Sequence, residues 1–299
     1  MRADRRTVLL GVGALTLAAC SREVAAVEAD VDAPVETLEL DLSDLEARHG
    51  GRLGLAIASE GQNAAWRGDE RFVYCSTFKM YLAAATLLRV QAGQERLDRA
   101  IPITAADMIN HAPTTEKAVG SALTVEQLMQ ATVELSDNPA ANILIREMGG
   151  LDILRAFYRG IGDDSTRVDR LEPEMNRQDG DKDTITPIQS VQNISRLLVA
   201  PDTPLNAASK ALLVRWMTET PTGQGRIKAG VPAGWTVAHK TGTGGYGPTN
   251  DIGLIQRPGG GAPIVIAVYF HATRDSSDEQ REAIIADATR LALKAFEHG

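Results

Sequence analysis

Residues 235–270 read WTVAHKTGTGGYGPTNDIGLIQRPGGGAPIVIAVYF, and the fold turns on how they are parsed. Trp235–Lys240, Asp251–Gln256 and Pro263–Phe270 are short β-prone runs separated by Gly- and Pro-rich segments. That pattern predicts three strands joined by turns. Downstream, 276–297 is amphipathic and predicts a closing helix. Upstream, helical patterns occupy 77–92, 124–134, 139–148, 151–159, Thr186-Pro187 to about Val199, and 206–219. Nearer the start, Arg52 to Ser59 alternates Leu53, Leu55 and Ile57, and Gly61-Gln62-Asn63 turns it toward a strand near Ala64–Arg67. Before these, 36–48 places Leu38, Leu42 and Leu45 at helical spacing, stopped by Gly50-Gly51. Strands at both ends of a helical middle predict one antiparallel sheet built from both chain ends, with an inserted all-α lobe. Residues 160–186 form a long polar stretch, the kind of loop that is usually functional in a compact domain.

The chain has 299 residues, 43% hydrophobic and 23% charged, which suits a packed globular protein and not a disordered one. A formal net charge of -8 argues against a nucleic-acid partner. Two cysteines make neither a disulfide-rich scaffold nor a four-Cys zinc site, and no His/Cys cluster has metal spacing. No cofactor is expected. No apolar run reaches the roughly 18 to 20 residues that a spanning helix needs.

Arg2, Arg5 and Arg6 precede an apolar stretch, Val8 to Ala19, which reads as an export signal. Leu17-Ala18-Ala19-Cys20 resembles a bacterial lipobox, with Cys20 as the lipid anchor and new N-terminus. Arg5-Arg6 followed by Thr7-Val8-Leu9-Leu10 resembles a twin-arginine signal. Residues 1–19 are therefore expected to be a lipoprotein signal peptide and 20–34 a solvated tether. The protein is expected outside the cytoplasm, in the periplasm or at the cell surface, touching the membrane only through that anchor. Cleavage removes three Arg and one Asp, leaving 280 residues and taking the net charge to -10.

Three short motifs fit acyl transfer. Ser76-Thr77-Phe78-Lys79 opens a helix, and residues three apart share a face, so the Lys79 amine can reach the Ser76 hydroxyl. A serine hydroxyl needs a base, and a lysine of lowered pKa can be one. Ser136-Asp137-Asn138 precedes a helix with Pro139 at its first position and, alone, suits a plain cap. Lys240-Thr241-Gly242-Thr243 ends a strand and, alone, suits an edge turn. In that order, S-x-x-K, S-D-N and K-T-G resemble the penicillin-recognising serine enzymes, β-lactamases and penicillin-binding proteins. Arg170-Leu171-Glu172-Pro173-Glu174-Met175-Asn176 resembles the omega-loop motif of class A serine β-lactamases.

The resemblance spans 35–299 and implies the two-lobe serine β-lactamase/transpeptidase-like fold. Its α/β lobe would take 35–66 and 216–299, and its helical lobe 67–215. It implies hydrolysis of penicillins and cephalosporins, hence antibiotic resistance. Ser76 would form an acyl-enzyme, with Lys79 or Glu172 through a water taking its proton. The N–H groups of Ser76 and Thr243 would form the oxyanion hole. Ser136 would protonate the leaving nitrogen. Lys240, Thr241, Gly242 and Thr243 would hold the substrate carboxylate, and Arg226 would support them from behind. Asn138 would bind the side-chain amide of the substrate. Glu172 with Asn176 would activate the deacylating water. Glu172-Pro173 is a candidate cis bond, Arg170 and Asp183 a candidate pair across the loop neck, and a monomer suffices.

Some positions depart from the family pattern. The stretch from Asn176 to Asp183 is about two residues short. His111 stands where an aromatic ring often flanks the substrate, and His239 where Asp is frequent. Cys75 precedes the nucleophile as in extended-spectrum and carbapenem-hydrolysing relatives, but Gly244 stands where the latter carry a second Cys, so Cys75 is expected as a buried free thiol. Asn110 with Thr243-Gly244-Gly245-Tyr246-Gly247 is similar to enzymes that accept oxyimino-cephalosporins. Two rivals stand beside this reading: a D,D-peptidase, which would lack the Glu172 function, and a penicillin-binding sensor domain, which is expected to need a membrane segment after it.

Overall fold

The computed structural model describes residues 35–245, 247–273 and 275–298. The expected signal peptide, Cys20 and the tether lie outside them, as does Tyr246.

The first element corrects the sequence expectation. Instead of a helix over 36–48, Glu36–Thr37 forms a short strand, β1, and the helix α1 spans only Ser43–His49. The reason is competition for backbone partners: Glu36 and Leu38 donate to Gly61 and Asn63 carbonyls at 2.7 and 2.8 Å. Asp41 Oδ1 accepts from the Ser43 N–H at 2.8 Å, just ahead of the helix. Leu42 and Leu45 are buried as the periodicity requires.

β2 (Gly51–Ser59) turns at Gly61 into β3 (Gln62–Trp66). The chain then crosses to the helical middle through β4 (Phe72–Val73) and a 3₁₀ turn at Cys75–Thr77, which runs into α2 (Phe78–Gln91). β5 (Ala100–Pro102) and β6 (Ala122–Thr124) pair with each other ahead of α3 (Val125–Glu134), α4 (Asn138–Met148) and α5 (Leu151–Gly160). The polar loop ends in β7 (Thr184–Ile185), which pairs antiparallel with β4. α6 (Pro187–Ile194), α7 (Ala207–Glu219) and α8 (Ile227–Gly230) lead back to β8 (Thr236–Thr243), β9 (Pro248–Gln256) and β10 (Ile264–Ala272). α9 (Asp278–His298) closes the chain.

The main sheet runs β1-β3-β2-β10-β9-β8. It is antiparallel except for β1, which lies parallel to β3, so the sheet is mixed and not wholly antiparallel as the sequence suggested. β10 joins the two chain ends, with Val268 opposite Leu55 of β2 and Asp251 of β9. Its continuous apolar run is what a strand covered on both faces requires. Ile264, Ile266, Val268 and Phe270 meet α1 and α9, together with Leu53, Leu55 and Ile57. Val265, Ala267 and Tyr269 point the other way, into the core that holds α2, α4 and α6. Period-two alternation thus builds two cores from one sheet. α2 is buried through most of its length, from Phe78 to Leu87. Among the described residues no helix is long and apolar enough to cross a membrane.

Candidate active site

Ser76 sits in the turn that opens α2, with Lys79 one turn further on. Neighbouring strands fix this turn. Asn250 of β9 donates from Nδ2 to the carbonyls of Val73 and Tyr74 at 2.9 and 3.1 Å, and Thr77 Oγ1 donates to the Tyr74 carbonyl at 2.8 Å. β8 comes so close that a Cβ on Gly242 would lie 2.7 Å from the Tyr74 carbonyl oxygen and 3.0 Å from Thr77 Cγ2. Cys75 holds φ at 48°, an uncommon conformation for a side chain other than Asn or Asp, immediately before the serine.

The loop from α3 to α4 supplies Ser136 and Asn138. Ser136 has φ 59°, and Asp137 is wholly buried as the cap of α4. Asp137 does more than cap: its carboxylate also accepts from the Thr114 and Thr115 N–H groups, at 2.9 and 3.0 Å. The motif's middle residue therefore ties the helix start to the 110–115 loop. Lys79 Nζ donates into this corner, to the Ser136 carbonyl at 2.7 Å and Asn138 Oδ1 at 2.5 Å, with Ser136 Oγ at 3.4 Å. Asn138 Nδ2 donates to the Asn110 carbonyl at 3.1 Å. His111 is exposed, and its Nε2 lies 2.9 Å from the Leu135 carbonyl.

The polar loop delivers Glu172, which is buried. Ser76 Oγ donates to Glu172 Oε1 at 3.3 Å, and Lys79 Nζ lies 3.1 Å from the same oxygen. Asn176 Nδ2 donates to the other carboxylate oxygen. Asn176 Oδ1 is buried with no protein partner among the described residues. The Glu172-Pro173 bond is cis. Asn142, which the sequence reading missed, grips the Glu172 backbone on both sides: its Nδ2 donates to the carbonyl at 2.9 Å and its Oδ1 accepts from the N–H at 3.1 Å. Its signal was present, since it stands four residues after Asn138 on one helix face. At the loop neck Arg170 Nε donates to Asp183 Oδ2 at 2.6 Å. Asp183 Oδ1 also accepts from Tyr74 Oη and from the Asp169 and Arg170 N–H groups.

β8 forms the opposite wall. Lys240 Nζ is fully buried and donates to Ser136 Oγ at 3.2 Å and the Thr241 carbonyl at 2.9 Å. Thr241 Oγ1 lies 2.9 Å from Thr222 Oγ1. Arg226 reaches in from the α7–α8 connection, donating to the Gly242 and Asn250 carbonyls at 3.1 and 2.8 Å and to Thr243 Oγ1 at 2.8 Å. Its Nε meets Glu282 Oε1 of α9 at 3.0 Å, a partner absent from the sequence expectation. His239 finds its own partner in Asp251 on the adjacent strand, at 2.8 Å.

Burial pushes Lys79 below the ordinary lysine value, although the Glu172 carboxylate beside it pulls the other way. Lys240 is pushed down further, by burial first and then by the charge of Lys79. Cys75 is a buried free thiol, and burial together with Glu172 raises it well away from the thiolate.

The structure brings every expected site residue of the described chain to one cleft of about 710 Å³, or directly beneath it. Ser76, Ser136, Asn138, Asn176, Thr241, Thr243 and Arg226 line it, with Lys79, Glu172 and Lys240 below and Gly242 between. Gly244 approaches the omega-loop side, where an added Cβ would lie 2.6 Å from the Asn176 carbonyl and 3.3 Å from Cys75 Sγ. Among the described residues no group of three or more His, Cys, Asp or Glu is placed to hold a metal ion.

Comparisons with known proteins agree with this geometry. A family model described as the beta-lactamase enzyme family matches residues 37–296. β-Lactamase OXY-2 of Klebsiella oxytoca is 39% identical over 260 residues, 86% of this chain and 89% of that one. β-Lactamase CTX-M-25 of Escherichia coli is 38% identical over 296 residues, 98% of each. Among solved structures, an ancestral class A β-lactamase superposes with a TM-score of 0.81 at 47% identity, covering 85% of this chain and 98% of the other. A β-lactamase from Xanthomonas campestris gives a TM-score of 0.81 at 40% identity, covering 85% and 95%.

Proposed function

The chain belongs to the beta-lactamase enzyme family as a class A serine β-lactamase, and on that premise we propose that it opens the amide bond of penicillins and cephalosporins through an ester on Ser76. Such hydrolysis inactivates the antibiotic and gives resistance to it. The observation that carries the residue assignment is the convergence of Ser76 Oγ and Lys79 Nζ on one oxygen of buried Glu172, at 3.3 and 3.1 Å.

Ser76 Oγ attacks the lactam carbonyl, and its proton passes to Glu172. The Lys79 amine faces Ser136 O, Asn138 Oδ1 and Glu172 Oε1, which suits the three protons of an ammonium and favours Glu172 over Lys79 as the acceptor. Charge developing on the carbonyl oxygen meets the N–H groups of Ser76 and Thr243. The C–N bond breaks, and Ser136 Oγ, within 3.4 Å of Lys79 Nζ and 3.2 Å of Lys240 Nζ, gives the nitrogen its proton. Ser136 regains a proton from Glu172 relayed by Lys79 Nζ, which lies 3.1 Å from Glu172 Oε1, so Glu172 is again a carboxylate. Lys240, Thr241 and Thr243 hold the substrate carboxylate, with Arg226 fixing the Thr243 hydroxyl. Asn138 Nδ2 donates to the Asn110 carbonyl at 3.1 Å and more weakly to Asn110 Oδ1 at 3.5 Å, and the substrate's side-chain amide would replace the longer bond. A water between Glu172 and Asn176 then loses its proton to Glu172 and attacks the ester; as the ester C–O bond breaks, that proton passes from Glu172 to Ser76 Oγ, 3.3 Å away, restoring both groups. All these groups come from one chain, which supports action as a monomer.

The test is steady-state turnover of a chromogenic cephalosporin by the protein lacking residues 1–19. Continuous turnover is expected; a single stoichiometric burst favours a penicillin-binding protein instead. For the N-terminus, the basic and apolar run ending in Leu17-Ala18-Ala19-Cys20 supports export and lipid anchoring through Cys20, possession of Arg5-Arg6 supports the twin-arginine route, and residues 35–66 with 216–299 and 67–215 serve as the two lobes. Cys20→Ala is expected to move the protein from the membrane to the soluble fraction, and unchanged fractionation rules the anchor out.

A further inference from the structure

Arg226 is the back support of the carboxylate pocket, but it is not the charge that the cleft presents. Its side chain is 8% exposed, whereas that of Glu282, its ion-pair partner, is 27% exposed. The guanidinium is committed on all sides: to Gly242 and Asn250 carbonyls, to Thr243 Oγ1 at 2.8 Å and to Glu282 Oε1 at 3.0 Å. Thr243 and Glu282 thus share one guanidinium, at Nη2 and at Nε. Glu282 lines the same cleft as Thr241 and Thr243. Its other oxygen comes close to the Gly225 backbone, where an added Cβ would lie 2.6 Å from Glu282 Oε2.

We propose that Glu282 is a specificity-determining residue that selects cephalosporins by the charge of their 3′ substituent, favouring cationic groups over neutral or anionic ones. The proposal rests on the β-lactamase reading above and deepens it. In a cephalosporin the carboxylate and the 3′ group hang on adjacent ring carbons. Once the carboxylate is held at Thr241 and Thr243, the 3′ group must lie close by, within reach of a carboxylate one guanidinium away. A positive group there gains attraction to Glu282 across partly wet space, and a negative one is repelled. A penicillin carries no such arm, so the discrimination acts among cephalosporins.

The test compares two cephalosporins with the same acylamino side chain, one bearing a pyridinium-methyl and the other an acetoxymethyl 3′ group. kcat/KM is measured for each with the parent, Glu282→Gln and Glu282→Lys. Glu282→Gln keeps the shape and an acceptor for Arg226 and removes only the charge. The cationic-to-neutral ratio should fall by about two- to fivefold in Glu282→Gln, further in Glu282→Lys, and less at high salt. Loosening of Arg226 lowers both substrates together and leaves the ratio alone. A ratio equal in all three proteins therefore overturns the proposal even if activity drops. If the parent turns over neither substrate, the β-lactamase reading itself falls.

Discussion

Glu172 has a carboxylate oxygen shared by Ser76 and Lys79, and its other oxygen accepts from Asn176. Because it takes a proton in both steps, Glu172→Ala should slow both and deacylation more, lowering turnover about 10³-fold while Ser76 still acylates slowly with Lys79 as the remaining base. Intact-protein mass should then show a lasting adduct on Ser76, and parent-like turnover would remove Glu172 from the mechanism. Lys240 makes a second residue-scale prediction. Its value is lowered in the fold, so between that value and about 10.4 the unfolded chain binds more protons, and this group's contribution to stability rises with pH. Lys240→Met should therefore be more stable than the parent near neutrality, by about 1 kcal/mol, while losing activity. The gap in thermal midpoint should narrow as pH climbs toward 10; a constant gap contradicts the cause given. The motif residues were legible because acyl transfer demands particular residue types at fixed spacing. Asn142 could have been found from its place on the Asn138 face of α4, but Asp251 and Glu282 could not, since each acts through a partner on another element: His239 and Arg226.

At the scale of elements, the site depends on two close fits. The first is β8 against the opening turn of α2, possible only because Gly242 has no side chain. Gly242→Ala should leave a folded protein whose oxyanion groups have shifted, with kcat/KM down about 10²-fold. A variant as active as its parent would show that the approach is not needed. The second fit is the omega loop, closed at its neck by Asp183. This carboxylate is fully buried and holds Arg170, Tyr74 and two backbone N–H groups. Asp183→Ala should cost about 3 kcal/mol and open the loop to limited proteolysis between Glu174 and Lys182. Resistance equal to the parent's would place the closure elsewhere. The candidate pairing of Arg170 with Asp183 was readable from sequence, as were most helices, because their apolar periodicity matches the faces they bury. The 36–48 segment was misread because its backbone found a strand edge in β3, which periodicity does not reveal.

Across the whole molecule, the sheet divides two cores, and α9 covers one of them. Ile284, Ile285 and Ala288 of α9 pack over Ile57, Ile266 and Val268. Ending the chain at Asp275 strips that face and should give insoluble protein; a soluble, active product would show that the sheet tolerates the exposure. The sequence already placed strands at both chain ends, but not which strand sits between them, because strand order depends on contacts far apart in the chain. That order has a consequence for synthesis. Ser76, Lys79, Ser136 and Glu172 all precede β10, yet β2 waits for β10 as its neighbour. A ribosome that stops early releases a chain with its nucleophile made and its central seam open, an unpaired edge suited to aggregation and degradation. The last strand translated thus acts as a proof of completeness, and an incomplete message is spent on nothing that can pass for the finished enzyme.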